Sequence, residues 1–103
     1  MKTKEDNVYF LLTKIPNGKV TTYGSIAEKL GISAREVGRI LSRNKHPEKF
    51  PCYKVVRSDG SLGGYTIRNR NDSSTLKVKR KKLIKDRVKF NEDKVDKSCI
   101  FYI

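Results

Sequence analysis

The apolar positions in the N-terminal half of the chain recur with the spacing of amphipathic helices. The first such face is formed by Val8, Leu11, Leu12 and Ile15. This i, i+3, i+4, i+7 pattern predicts a helix with one buried side. The turn residues Pro16-Asn17-Gly18 should end it. A short extended stretch from Lys19 to Thr21 is expected to follow.

Two further helices are predicted on either side of a short turn. The apolar positions of the second helix are Tyr23, Ile26, Ala27 and Leu30, and those of the third are Val37, Ile40 and Leu41. Gly31 follows the second helix where a left-handed C-cap favours glycine. Ser33 and Glu36 form the capping-box pattern, which opens a helix from about Ala34 to Arg43. Two short helices joined by residues 31–33 predict a helix-turn-helix.

The C-terminal half carries weaker signals. A loop after Asn44 leads into the apolar stretch Phe50–Val56. From Thr66 to about Lys77 the chain is mostly polar, and we expect a flexible surface loop centred on residues 71–74. A basic helix is predicted over Lys79–Lys85, and one or two strands between Val88 and Ile103. The chain is therefore expected to be mainly α with short β segments, as a single domain over residues 1–103.

Charge narrows the choice of partner. The chain has 24 Lys and Arg residues against 11 Asp and Glu, a net charge of +13. A field of this sign suits a polyanion, and nucleic acid is the leading candidate. A membrane surface is second, but no segment combines a basic face with a large apolar one, and no apolar run approaches the ~18 residues of a membrane span. The N-terminus lacks the pattern of a secretory signal.

The outer face of the third helix carries basic residues at helical spacing. They are Arg35, Arg39 and Arg43, with Ser42 as an alternative at the last position. Such a stripe can lie along a phosphate backbone, and a winged helix-turn-helix-like DNA-binding domain is the fold class that this placement favours. The alternative is an ordinary solvated helix face.

The cysteine and histidine content gives no reason to expect a metal or a cofactor. Cys52 and Cys99 lack C-x-x-C spacing, and a lone histidine, His46, does not complete a zinc site with them. We expect His46 to be an exposed loop residue. A reducing, intracellular compartment (cytoplasm, nucleoid or nucleus) fits best, although a disulfide between the two cysteines stays open.

Cys52 is the candidate nucleophile. Pro51 fixes the backbone before the thiol, Tyr53 places an aromatic hydroxyl beside it, and Lys54 brings a cation that favours the thiolate. The alternative is a small buried cysteine at the edge of the core.

A series of short motifs runs from about Val8 to Tyr65, with a weaker continuation to about Lys94. The motifs are Ile15-Pro16-Asn17-Gly18-Lys19-Val20, Thr22-Tyr23-Gly24, Ile26-Ala27, Ala34-Arg35, Val37-Gly38, Asn44, Pro51-Cys52, Val55-Val56, and Asp59-Gly60 through Gly63-Gly64-Tyr65. As an ordered set they resemble the C-terminal, DNA-binding domain of the O6-alkylguanine-DNA alkyltransferase family, which includes the alkyltransferase-like proteins. The resemblance implies binding to double-stranded DNA that contains O6-alkylguanine.

The resemblance also implies a role for individual residues. The second helix of the helix-turn-helix would enter the minor groove, with contacts from Thr22, Tyr23, Arg35, Gly38, Arg39 and Arg43. Arg35 would fill the gap left by the flipped nucleotide, and Tyr23 would crowd its 3′ phosphate. Cys52 would accept the alkyl group irreversibly, aided by Tyr53, while Asn44 braces the preceding turn and Tyr65 donates toward the departing base. The pocket would be lined by Pro51, Cys52, Leu62, Gly63, Gly64, Tyr65 and Ile67.

Three positions depart from the family pattern. The usual Pro-Cys-His-Arg is Pro51-Cys52-Tyr53-Lys54 here, and a tyrosine with a pKa near 10 is a poor base at neutral pH. Asp86 or Arg87 falls where the family has the glutamate that holds the histidine. Ile67 replaces a small residue and predicts a tighter pocket that accepts methyl better than bulky groups.

Two functions therefore remain open. The first is a single-turnover methyltransferase in which Cys52 takes the alkyl group. The second is a lesion sensor that binds without transfer and flags the damage for downstream repair proteins; that branch usually replaces the cysteine. A sequence-specific transcription regulator is a third class, and nothing in the sequence points to dimerisation, so a monomer is expected.

Overall fold

The helical periodicity of the N-terminal half gives three short helices in the computed structural model, which describes residues 3–103. They are α1 (Lys4–Leu12), α2 (Tyr23–Leu30) and α3 (Ala34–Ser42). Gly31 follows α2 with a φ of 69°, a left-handed conformation that glycine adopts without strain. The predicted helix-turn-helix is confirmed, with its turn at residues 31–33.

Side-chain caps fix where these helices begin. The Thr22 hydroxyl accepts a hydrogen bond from the Ser25 amide at 2.9 Å, and the Ser33 hydroxyl accepts one from the Glu36 amide at 3.0 Å. Only this half of the predicted capping box is formed, since the Glu36 carboxylate instead pairs with Lys4 Nζ at 3.3 Å. This ion pair links the start of α3 to α1.

A parallel strand pair brings distant parts of the chain together. β1 (Thr21–Thr22) lies beside β2 (Val55–Val56), with Thr21 opposite Val55. A single 3₁₀ turn, Cys52–Lys54, immediately precedes β2, and α2 immediately follows β1. The pairing therefore sets the cysteine turn next to the start of the helix-turn-helix.

The last helix is longer than predicted. α4 spans Ser73–Lys85, so residues 73–77, which we expected to lie in a flexible loop, are helical. Asp72 is the N-cap: its carboxylate accepts from the Ser74 and Thr75 amides, and the Thr75 hydroxyl accepts from the Asp72 amide. Hydrogen bonds from Ser74 and Thr75 lower the pKa of Asp72 to about 2. This capping box starts the helix within a polar stretch that lacks apolar periodicity.

The C-terminal segment folds back onto the start of β1. β3 (Phe90–Asn91) and β4 (Lys94–Val95) form an antiparallel pair, as expected for residues 88–103, and a 3₁₀ turn follows at Lys97–Cys99. The segment after this turn is bonded to Val20. The Val20 amide donates to the Cys99 carbonyl at 2.8 Å, and the Val20 carbonyl accepts from the Phe101 amide at 2.6 Å.

Two hydrophobic clusters result. The first lies among the three N-terminal helices and includes Val8, Leu12, Ile26, Val37, Ile40 and Val55. The second joins α4 and the C-terminal segment to the β1–β2 pair and comprises Val20, Val56, Leu83, Val88, Val95 and Cys99. Both cysteines are buried and free. Within residues 3–103, no helix is long and apolar enough to span a bilayer.

The second cluster can be tested with two adjacent residues of α4. Leu83 is fully buried, whereas Ile84 is 54% exposed. We expect Leu83→Ala to lower the free energy of unfolding by about 2–5 kcal/mol, because it leaves a cavity among packed side chains. Ile84→Ala should change it by less than about 0.5 kcal/mol. Urea unfolding of both variants measures the difference, and equal effects would contradict this packing.

Candidate functional site

A cavity of about 700 Å³ opens between the helix-turn-helix and the loop that follows β2. From the helices it is lined by Tyr23, Gly24, Ala34, Arg35, Gly38, Leu41 and Ser42. From the 3₁₀ turn and the loops it is lined by Cys52, Arg57, Ser58, Asp59, Gly63, Gly64, Tyr65, Thr66 and Asn71. The fold thus places the candidate nucleophile, the predicted flipping tyrosine and the predicted intercalating arginine around one space.

Cys52 occupies the first position of its 3₁₀ turn and is 8% exposed. The preceding loop is held by Asn44. Its side-chain amide donates to the Phe50 carbonyl at 2.7 Å, and its oxygen accepts from the His46 amide at 2.9 Å. Because the Cys52 amide donates to the same Phe50 carbonyl at 2.7 Å, Asn44 orients the turn that presents the thiol. The side chain of His46 itself is exposed.

Tyr23 forms one wall of the cavity. Its hydroxyl lies 3.4 Å from the Gly64 carbonyl, to which it donates. Burial raises the pKa of Tyr23, and a charge on Cys52 raises it further, so the phenol stays protonated at neutral pH. Gly63 has a φ of 72°, and a Cβ there would lie 3.0 Å from the tyrosine ring. A glycine at this position therefore lets the loop approach the ring.

The basic side chains of α3 face solvent beside the cavity. Arg35, Arg39 and Arg43 are all exposed, and Arg35 also lines the cavity. Gly38 lies one turn after Arg35, and a Cβ at this position would lie 4.0 Å from the Tyr23 ring. Thr22 is placed differently from our expectation. It is 2% exposed and its hydroxyl caps α2, which assigns it to the fold and not to a DNA contact.

Tyr65 is buried on the opposite side of the cavity. Its hydroxyl oxygen accepts a hydrogen bond from Lys82 Nζ at 3.1 Å, and its amide donates to the Asn71 side-chain oxygen at 3.3 Å. Since the lysine uses an oxygen lone pair, the phenolic proton remains for another hydrogen bond.

Three of the predicted pocket residues lie elsewhere. Leu62 packs against the second hydrophobic cluster, and Ile67 packs against the first. Pro51 lines a separate shallow cleft of about 460 Å³ together with Tyr53, Lys82 and Asp86. Ile67 is not among the residues that line the cavity and packs against the first cluster as a partly buried side chain, so its effect on the accepted alkyl group stays a prediction.

Lys54 does not supply the free cation that its sequence position suggested. It is 3% exposed, and its Nζ pairs with Asp86 Oδ2 at 2.8 Å and donates to the Pro16 carbonyl at 2.8 Å. Asp86, and not Arg87, is thus the residue that faces the cysteine turn; it also accepts from the Gly18 amide at 3.1 Å. The Lys54–Asp86 pair anchors this turn to α4 and to the loop after α1.

Tyr53 is deprotonated to an even smaller extent at neutral pH than an ordinary tyrosine. Burial raises its pKa, and the negative charge of Asp86 raises it further. Its ring lies against both hydrophobic clusters, 5.7 Å from Lys82 Nζ. Taking a proton from Cys52 is therefore not a role that this phenol can fill at neutral pH.

Lys79 is a residue that the sequence analysis missed. It is fully buried within α4, and its Nζ donates to the carbonyls of Val55 (2.7 Å), Leu62 and Gly64 (3.1 Å). Burial lowers its pKa to about 7. The signal that could have found it is the spacing of Thr75, Lys79 and Leu83, which lie four residues apart on the buried face of the helix.

Comparison with known proteins identifies the family. Residues 3–88 match the profile described as 6-O-methylguanine DNA methyltransferase, DNA binding domain. The chain belongs to this family. Its relatives include a bifunctional methyltransferase/endonuclease of Picrophilus torridus, 44% identical over 91 residues, which are 86% of this chain and 28% of that protein. Another is a methylated-DNA--protein-cysteine methyltransferase of Pyrobaculum aerophilum, 52% identical over 61 residues, covering 59% of this chain and 41% of that protein.

Solved structures of the methyltransferase family share the fold. S. pombe Atl1 in complex with DNA containing O6-carboxymethylguanine superposes with a TM-score of 0.72 and 27% identity, over 88% of this chain and 83% of that one. Mycobacterium tuberculosis OGT in complex with DNA superposes with a TM-score of 0.71 and 28% identity, over 84% of this chain and 51% of that one. This member spans less than half the length of the two named curated relatives.

The buried ion pair of this family member yields a stability prediction. Asp86→Asn should lower the free energy of unfolding by about 3–5 kcal/mol, because it leaves the Lys54 ammonium buried without a counter-charge. The double variant Lys54→Met/Asp86→Asn removes that charge and should recover part of the loss. Chemical denaturation of the two variants measures the effect. If Asp86→Asn is as stable as the unmodified chain, the pair does not anchor the turn.

Proposed function

We propose that this chain repairs DNA by binding the duplex through α3, receiving an extruded O6-alkylguanine in the cavity, and transferring its alkyl group to Cys52. One observation carries the proposal: Cys52 shares its cavity with Arg35 of α3 and Tyr23 of α2. A nucleophile buried inside a duplex-binding domain reaches a base only if the base leaves the stack. The cavity beside α3 provides the space for it.

The binding step follows from charge and shape. The net charge of +13 attracts the phosphate backbone, and the exposed arginines of α3 give that attraction a defined surface. Unstacking a base requires a few kcal/mol. A planar guanidinium from Arg35 inserted in its place restores part of the lost stacking.

The chemical step is a displacement at the alkyl carbon. The Cys52 thiol loses its proton, and the thiolate electron pair forms a sulfur–carbon bond while the carbon–O6 bond breaks toward the base. Guanine takes up one proton, so that a thiol and an O6-alkylguanine become a thioether and guanine. Tyr65 donates a hydrogen bond to the departing base, which stabilises the charge that develops on it. Because the thioether is stable, each molecule acts once.

A lesion sensor is the second candidate, and Tyr53 favours it. The residue after the cysteine has a raised pKa and does not supply the base of the usual pattern. The likeness to S. pombe Atl1, solved with damaged DNA, fits this candidate as well. In this case the cavity would hold the lesion without transfer, and the bound monomer would mark the site for other repair proteins. The Picrophilus torridus relative is named a bifunctional methyltransferase/endonuclease, and this combination fits cooperation between lesion binding and a second repair activity.

Intact-protein mass spectrometry separates the two functions. After incubation with a duplex containing O6-methylguanine, we expect a mass gain of one methylene on Cys52, because a methyl group replaces the thiol hydrogen. Cys52→Ser should bind the duplex without the gain, and Cys99→Ser should still show it. Tight lesion binding with an unchanged mass would establish the sensor in place of the enzyme.

Two arginines of α3 test the extrusion step. Arg35→Ala should reduce the preference for a lesion duplex over an intact one by roughly tenfold or more, since the gap in the stack is left unfilled. Arg39→Ala, the matched control, should weaken binding to both duplexes equally. It should also reduce the slope of log K against log salt concentration by about one unit. Fluorescence anisotropy titrations at several salt concentrations give both quantities. Equal behaviour of the two variants would remove the special role of Arg35.

A further inference from the structure

The last helix carries more positive charge than its own contacts use. Six of the thirteen residues of α4 are Lys or Arg, and none is acidic. Lys79 binds backbone carbonyls, and Lys82 binds the Tyr65 hydroxyl. The Arg80 guanidinium lies 4.4 Å from the centre of the Phe90 ring. The remaining three are Lys77, Lys81 and Lys85, which we call the α4 lysine row.

The α4 lysine row lies opposite the buried face of the helix. All three of its lysines are exposed, whereas Thr75, Lys79 and Leu83 are buried. A spacing of four residues places neighbouring lysines of the row about 6 Å apart along the helix axis. Within residues 3–103, none of the three pairs with a carboxylate. Asp86, which directly follows the row, is already paired with Lys54. The charge of the row is therefore left to solvent or to a partner.

The stability of the helix does not account for this row. Like charges four residues apart destabilise a helix, and the row contains two such pairs. Positive charge is favourable near a helix C-terminus, where the helix dipole is negative. Lys85 lies in the last turn, but Lys77 lies in the second turn, near the opposite end. A polyanionic partner that neutralises the row would remove this unfavourable repulsion.

The α4 lysine row and the arginines of α3 face different sides of the molecule. In β2, Val55 packs in the first hydrophobic cluster and Val56 in the second, because neighbouring strand residues point to opposite faces. Helix α3 covers the first cluster through Val37 and Ile40, whereas the C-terminal half of α4 covers the second through Leu83. A straight duplex seated on α3 therefore does not reach the row.

We propose that the α4 lysine row binds the phosphate backbone of a second DNA segment, so that one molecule bridges two duplexes. B-DNA carries one phosphate charge per about 1.7 Å of helix axis. The row extends over about 12 Å, so it lies against several phosphates. Contacts to phosphate carry no sequence information, which makes this second surface indifferent to sequence and to damage.

The chemistry of the row favours DNA over a protein partner. Protein interfaces depend on buried aromatic and arginine anchors, and lysine is depleted in them. The row consists of lysines alone. A second DNA surface would let the protein pass from one duplex to another without dissociating. The inference goes beyond the proposed repair reaction, and it rests on the binding of a first duplex by α3 that the proposed function includes.

Energy transfer between two lesion-free duplexes tests the proposal. One duplex carries a donor dye and the other an acceptor, and the protein is titrated into an equal mixture. We expect transfer to rise and then to fall in excess protein, because each duplex then holds its own molecule. Lys77→Gln/Lys81→Gln should weaken capture of the second duplex by roughly tenfold, since two phosphate contacts are lost. Glutamine has nearly the helix propensity of lysine, so this variant should fold.

Two further variants make the result specific to the row. Lys14→Gln/Lys97→Gln removes the same charge from exposed lysines outside α3 and α4, and it should keep the energy transfer. Arg35→Ala/Arg39→Ala should lose the transfer, because the first duplex is no longer held by α3. It should still bind a single duplex weakly through the row.

Sedimentation velocity gives the composition of the bridged complex, which should contain one protein and two duplexes. Two proteins in that complex would overturn the proposal. So would an unchanged titration of Lys77→Gln/Lys81→Gln, or an equal loss in Lys14→Gln/Lys97→Gln. Binding of polyglutamate to the row without capture of a second duplex would assign it to an acidic protein instead. Because these duplexes carry no lesion, failure of alkyl transfer would leave the measurement intact, and anisotropy with one duplex tests binding by α3 separately.

Discussion

The cavity of this protein depends on one buried ammonium that binds carbonyl groups from two sides. Lys79 reaches from α4 to the strand after Cys52 and to the loop that ends at Tyr65. Without these bonds, the carbonyls of Val55, Leu62 and Gly64 would lose a charged hydrogen-bond donor. Among the described hydrogen bonds, no other side chain bridges this strand and this loop. The helix-turn-helix supplies the surface for a duplex, and α4 completes the site behind it.

The arrangement divides the lysines near the cysteine into two tasks. Lys54 and Asp86 form a buried pair that anchors the 3₁₀ turn, and this pair has little net charge. Lys79 instead bonds three neutral backbone carbonyls and so joins the strand after the cysteine turn to the loop before Tyr65. The Tyr65 phenol accepts from Lys82 and keeps its own proton for another hydrogen bond, whereas the Tyr23 phenol donates its proton to the Gly64 carbonyl.

The fold of the N-terminal half could be predicted from local sequence, whereas the candidate site could be predicted only in part. Helical periodicity, Gly31 and Ser33 were sufficient to predict the helix-turn-helix, because caps and apolar faces are local features. The start of α4 was missed because Asp72 and Thr75 form their capping box inside a polar run that resembles a loop. Lys79 was missed for a different reason. Its acceptors at residues 55, 62 and 64 are brought together only by the fold, and a lysine in a basic helix normally faces solvent.

On the proposed mechanism, a purine leaves the duplex and enters the cavity beside Cys52. A crystal structure of the Cys52→Ser variant bound to a duplex with O6-methylguanine would show whether this happens. We expect the modified base between Tyr23 and the residue 63–65 loop, with its alkyl group facing position 52 and the Arg35 guanidinium in the vacated stack. A modified base still stacked in the duplex, with the cavity remote from the bound DNA, would rule the mechanism out.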